Sequence, residues 1–289
     1  MSGVRAATVL ALWGAAFRAA AASPDEVLEE LAGAGRSAGI RASDAATADR
    51  VDLPGPGQAS AGSVALLDLL RRGGRPQLVL PVAGDVRGFP PRSPALVPGL
   101  DAGAAVVLPQ ERIVVVPSEG HWRVFALDRE GHAPAPPTPA PAGAPTLFEA
   151  ERDLDAAIRT ATTQLIRLDV ARDAAGVRAR IADAMRAGAV DVPHGSGPSH
   201  RHGSMLLAKV VSLEALLEVA ADHQTTAVTR HQLASLDDAL RPLASAVRFG
   251  RIAAVNELVD VLSPTRQAAT GCPDRQRVVA DRERGDRAD

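Results

Sequence analysis

The residues of this chain best suited to chemistry lie in Gly84-Asp85-Val86-Arg87-Gly88, where a carboxylate and a guanidinium stand two residues apart between glycines. Arg87 carries a planar fork of donors that can hold a carboxylate or phosphate bidentately. The flanking glycines permit close approach of the backbone. On this reading Gly84, Asp85, Arg87 and Gly88 bind a small molecule or anion. The competing reading is a salt-bridged turn in which Asp85 accepts from backbone amides.

Other constellations carry less. Gly35-Arg36-Ser37-Ala38-Gly39 matches the G-x-S-x-G nucleophile elbow, but that chemistry needs a strand before the serine and a helix after it. Here a helix precedes it. Gly57 to Ser63 begins like a phosphate-binding loop, yet Ser63 takes the place of the lysine that would carry the charge. It reads as the Gly/Ser start of a helix. His194, His200 and His202 have spacings at which imidazoles can share a metal. Asp191 is their only acidic neighbour, and the intervening glycines make ordering costly, so a flexible interhelix loop is expected. Arg241, Arg248 and Arg251 recur along one helix, flanked by Asp237, Asp238, Glu257 and Asp260 and without interleaved aromatics. That pattern predicts a solvated face and no nucleic-acid binding. Cys272 is the single cysteine, which excludes an internal disulfide and fits a reducing cytoplasm. No metal site and no cofactor is assigned.

The elements that must position these groups change character along the chain. Met1 to Ser23 has the outline of a secretory signal: Arg5, an apolar run to Phe17, then Ala20-Ala21-Ala22. Arg18 interrupts that run. Val9, Leu10, Trp13, Ala16 and Phe17 share one face, with Arg5, Thr8, Ala15 and Arg18 on the other, so an amphipathic helix retained in the protein is expected. Ser23-Pro24-Asp25-Glu26 is a capping box with proline at the first helical position. A further helix is expected from Ala59 to Arg72. Apolar runs at 77–82, 104–108, 112–116 and 121–127 predict four strands, with Pro117 to Gly120 as a hairpin turn. A short helix is expected within 93–100, although Pro98 weakens it. Residues 133–145 hold six prolines and read as an extended linker. Beyond them, sevens, fours and threes of Leu, Ile, Val and Ala mark bundle helices. One has Val177, Ile181 and Met185 inward, and another is kinked or restarted at Pro242. From Pro264 onward the periodicity is lost, which predicts a disordered tail.

The fold class that follows is α+β in the N-terminal domain, with a small, partly antiparallel sheet, followed by an all-α helical bundle. The division is 1–130 for the α+β domain, 131–146 for the linker, 147–263 for the bundle and 264–289 for the tail. At 289 residues the chain can bury a core without disulfides or metals. Its 32 basic and 34 acidic residues leave a net charge of −2, which excludes a polyanion-binding field at whole-chain level. All basic residues but Lys209 are arginine. No apolar run is long enough to span a bilayer.

At Leu78-Val79-Leu80-Pro81-Val82-Ala83-Gly84-Asp85-Val86-Arg87-Gly88 and Leu240-Arg241-Pro242-Leu243, the chain resembles an uncharacterised group of high-GC actinobacterial proteins. The resemblance extends loosely over two-thirds of the chain and implies no functional residues. The function expected from the sequence is that of a cytoplasmic, non-enzymatic interaction or scaffold protein. It acts through its bundle on a protein partner or on a second copy, with no membrane contact. The alternative is a small-molecule or anion binder, with or without catalysis, built on Gly84–Gly88.

Overall fold

The computed structural model describes residues 2–35, 39–89, 93–127, 145–167, 176–223 and 230–263. Most of the Pro-rich linker and the C-terminal tail lie outside these residues. The N-terminal part contains helices α1 (Ser2–Arg18), α2 (Pro24–Gly33), α3 (Ala45–Val51), α4 (Ser63–Arg72) and α5 (Leu96–Ala102). It also contains strands β1 (Ile40–Ala42), β2 (Gln77–Val79), β3 (Ala105–Leu108), β4 (Ile113–Ser118) and β5 (His121–Ala126). The strands form one sheet in the order β1-β5-β4-β3-β2, antiparallel except where β1 runs parallel to β5. The C-terminal part is helical: α6 (Leu147–Arg167), α7 (Val177–Gly188), α8 (Pro198–His223) and α9 (Arg230–Leu262). The expected α+β-then-helical order is therefore present.

The capping box starts α2 as its sequence requires: Ser23 Oγ accepts from the Glu26 amide and Glu26 accepts from the Ser23 amide. Pro98 falls in the first turn of α5, where its missing N–H has no intrahelical role, so the short helix survives. Strand β1 and helix α3 were not expected. A three-residue strand is too short to display a period, and β1 exists because β5 offers it an edge.

The expectation for α1 needs correction. It is not amphipathic in its setting. Ala6, Ala7, Thr8, Leu10, Ala11, Leu12, Ala15 and Ala16 are all fully buried. The helix packs against β2, β3 and β4, against α2 and α4, and against α9, so its small residues face neighbours all round. Gly14 permits a close crossing with α4, since a Cβ there would stand 2.9 Å from the Leu70 side chain. Each fully buried leucine of α1 contributes about 1.5–3 kcal/mol.

One apolar core joins the two parts. It runs from the face of the sheet carrying Val106, Ile113, Val115 and Trp122, through α1, to Val247, Val255, Leu258 and Leu262 of α9. A smaller cluster on the opposite sheet face has Val107, Val114, Val116 and Phe125 beneath Ala95 and Phe89. Of the two alternatives expected at Pro242, a kink or a second start, α9 has no second start and runs on through it. It also covers the open edge of the sheet. Asn256 accepts from the Leu78 amide at 2.9 Å and donates to the Leu78 carbonyl at 3.4 Å, as a neighbouring strand would. Among the described residues no helix is long and apolar enough to cross a membrane.

Candidate functional site

Directly after β2, residues Val82 and Asp85 exchange backbone hydrogen bonds of 3.0 and 2.9 Å across a two-residue turn. Gly84 adopts φ +84° and Gly88 φ +91°, which L side chains rarely adopt. A Cβ on Gly84 would meet nothing within 4 Å. That glycine therefore serves the turn and not a close approach. The Asp85 carboxylate accepts from Arg87 Nε at 2.9 Å, from Arg87 Nη2 at 2.8 Å and from the Arg87 amide at 3.3 Å. Arg248 of α9 adds a bond of 2.5 Å and donates its Nη1 to the Leu80 carbonyl at 2.9 Å. Both guanidiniums lie on the ring of Phe249, at 4.1 and 4.2 Å from its centroid. Hydrogen bonds from Arg87, supplemented by Arg248, hold the Asp85 carboxyl well below the usual carboxylate range despite its partial burial. Two guanidiniums share one carboxylate, which leaves the cluster with one net positive charge.

Beside this cluster opens a cleft of about 1100 Å³ between the two parts of the chain. Val4, Leu80 and Val82 line one side, and Leu217, Ala244 and Val247 line another. Arg251, only 2% exposed, lies at its floor. Its Nε donates to Glu214 at 2.8 Å, its Nη2 pairs with the second Glu214 oxygen, and its Nη1 donates to Thr8 Oγ1 at 3.2 Å. Arg5 donates to the Gly33 and Ala189 carbonyls, tying α2 to the end of α7. Arg180 and Glu218 stand on the walls contributed by α7 and α8, and Asp183 pairs with Arg186. Helix α7 buries no residue, and Met185 is 37% exposed, so the inward Met185 expected from periodicity is corrected. With the cleft beneath it, α7 has less to pack against than a bundle helix.

The arginine stripe is the main functional feature that sequence reasoning misjudged. Arg241 is solvated and pairs with Asp238, but Arg248 and Arg251 point inward. Their immediate context, Val247, Phe249, Gly250, Ile252 and Ala253, is apolar, and that signal could have marked them as buried. The His-rich segment also differs from expectation. Pro198 starts α8, so His200 and His202 lie in its first turns instead of in a loop. His200 bonds to the Pro193 carbonyl at 3.0 Å, and His202 pairs with Glu151 of α6 at 2.8 Å. Among the described residues no three His, Cys, Asp or Glu side chains gather in metal-binding geometry. Ser37 lies outside the described residues. The element after that motif is β1, which is the wrong order for a nucleophile elbow.

Comparison with known families gives two consecutive matches. The model of the Rv1486c-like protein, N-terminal domain, matches residues 7–141, and that of its C-terminal domain matches residues 148–252. The chain belongs to the Rv1486c-like family. Relatives in this family include an uncharacterized protein of Mycobacterium tuberculosis (strain H37Rv), 29% identical over 281 residues. An uncharacterized protein of Mycobacterium leprae (strain TN) is 27% identical over 308 residues. Both alignments cover 86% of this chain and 96% of the relative. The actinobacterial resemblance is thereby established. No solved structure matches the chain. In family terms the cleft draws Leu80 and Val82 from the N-terminal domain and Glu214, Arg248 and Arg251 from the C-terminal domain.

Proposed function

We propose that this protein is a small-molecule binder whose ligand occupies the cleft between its α+β and helical parts. The observation that carries this reading is the cleft itself, large and mainly aliphatic, with the buried Arg251–Glu214 pair at its floor. Its volume, about 1100 Å³, lies just above the roughly 300–1000 Å³ of small-molecule sites, and such sites favour junctions between structural units. Binding without catalysis is the preferred form. Among the described residues that line the cleft there is no Ser, Thr, Cys, Lys or His, and the Asp183 and Glu214 carboxylates are engaged with arginines. The site adjoins the Gly84–Gly88 loop instead of lying on it: Asp85 and Arg87 brace Arg248, which faces the cleft.

A second reading, contact with a protein partner or a second copy, rests on Phe148 and Met205, which are 70% and 65% exposed on α6 and α8. We place the protein in the cytoplasm on the strength of its lone cysteine. The test is native mass spectrometry of the protein from its own host beside a thermal-shift panel of metabolites. Ala244→Trp fills the cleft from an exposed position without touching the core. A ligand that raises the melting temperature of the wild type and not of Ala244→Trp is expected. A panel and a native extract with no ligand response overturn the reading.

A further inference from the structure

We infer that the ligand of the cleft is a linear aliphatic monoanion, a medium- or long-chain carboxylate, lying with its acid group toward Arg248 and the net positive charge of the Arg87–Asp85–Arg248 cluster, and its chain over the floor. This rests on the small-molecule reading above and specifies its chemistry. Three observations support it. First, the apolar lining consists of aliphatic residues such as Val4, Leu80, Val82, Leu217 and Val247, and no aromatic ring lines the cleft among the described residues. A nucleobase or other planar ring system would find no stacking platform there, whereas a methylene chain needs only apolar surface.

Second, the floor is already neutral. Arg251 is matched by Glu214 in bidentate geometry, so a second charge placed there would have no counter-ion and would carry the cost of desolvation. Third, positive charge is in excess beside one end, where Arg248 lines the cleft and Arg87, outside the lining, shares the Phe249 ring with it. The guanidiniums of Arg87 and Arg248 share the single Asp85 carboxylate, and Arg87 remains half exposed. Among the described residues, the remaining charges around the cleft are mixed: Arg5 and Arg180 against Asp183 and Glu218. They set no second pole. One charged end and a neutral aliphatic floor is the complement of an amphiphilic acid.

Ten-carbon ligands, soluble enough for titration calorimetry on the full chain, separate the components. Decanoate is expected to bind at least tenfold tighter than decan-1-ol or decylammonium, and acetate is expected not to bind. Arg87→Ala leaves Asp85 with Arg248 as a neutral pair and does not touch the cleft wall. It is expected to weaken decanoate about tenfold and leave decan-1-ol unchanged. Ala244→Trp is expected to abolish decanoate binding while the fold, followed by circular dichroism, persists. Equal binding of decanoate and decan-1-ol, or an Arg87→Ala variant that loses nothing, overturns the assignment of the acid end. If no ten-carbon compound binds but a polar metabolite does so in an Ala244-dependent way, the aliphatic class is wrong and the small-molecule reading stands. Decanoate binding undiminished in Ala244→Trp places the ligand elsewhere and overturns both.

Discussion

Arg251 is a buried arginine whose guanidinium is bonded on several sides. It is 2% exposed, and its guanidinium bonds to Glu214 and Thr8. Removing one member of a buried ion pair leaves the other uncompensated, which costs about 3–5 kcal/mol. Arg251→Met is expected to lose that much in urea denaturation, and adding Glu214→Gln should restore part of it. A strictly additive double variant would show that the two do not depend on each other. Asp85 makes a different contribution, and its sign follows from its lowered pKa. A carboxylate held below its ordinary 3.8 adds stability that is complete above that value and is lost as pH falls through the lower, folded value. Asp85→Asn is expected to lose about 1–2 kcal/mol at pH 7, the scale of a charge-assisted hydrogen bond. The loss should shrink as pH falls below 3.8, where the unfolded wild type begins to take up the proton that the folded protein still refuses. A wild type and variant with parallel pH profiles between pH 7 and pH 2 would refute the clamp.

At the scale of elements, α9 is both a bundle helix and a cover for the sheet. Three of its residues at fourfold spacing, Arg248, Ile252 and Asn256, lie on one face, and two of them bond directly to the backbone that follows or forms β2. Asn256 replaces the hydrogen bonds of an absent sixth strand. Asn256→Leu has nearly the same size but leaves the Leu78 amide and carbonyl unpaired, at a cost of about 1–3 kcal/mol. The expected result is a lower denaturation midpoint with unchanged secondary structure, together with earlier aggregation on heating as the edge of β2 becomes available. No change in either would mean that water already satisfies that edge. Helix α8 approaches α9 through glycine: a Cβ on Gly250 would come within 2.9 Å of Val210, so this contact depends on a missing side chain.

For the whole molecule, the continuous core makes a specific claim about cooperativity. Helix α1 is shared: its neighbours include the sheet, α2, α4 and α9. Besides the core, Arg75 and Asp260 at 2.9 Å and Trp13 donating to the Asp191 carbonyl at 2.9 Å tie the two parts together. Both tryptophans, Trp13 and Trp122, belong to the N-terminal part, whereas α6–α9 supply much of the helical signal. Tryptophan fluorescence and far-ultraviolet circular dichroism are therefore expected to report one coincident unfolding transition. Two separated transitions would show that the parts fold independently despite their shared core. Deleting residues 2–18 should abolish the transition in both signals.

The sequence by itself determined the elements whose cause is local. The capping box at Ser23, the β-branched runs of β3 and β4, the alternation of β5 and the Leu/Val/Ala periods of α6, α8 and α9 are each encoded within a few turns of chain. It also marked Gly84–Gly88 as a polar turn, because paired glycines and an Asp–Arg couple leave few other conformations. What it did not contain is any statement about partners distant in the chain. Arg248 reaches Asp85 across 163 positions, and Arg251 reaches Thr8 across 243. No local period records either. The apolar neighbours of Arg248 and Arg251 could mark them as buried, but they do not say which carboxylate another element brings to them. The same reason governs α1: its alanines read as a weak face, and only the sheet on one side and α9 on another made that face interior. The cleft belongs wholly to this second category, since its walls come from segments that meet only when the two parts pack.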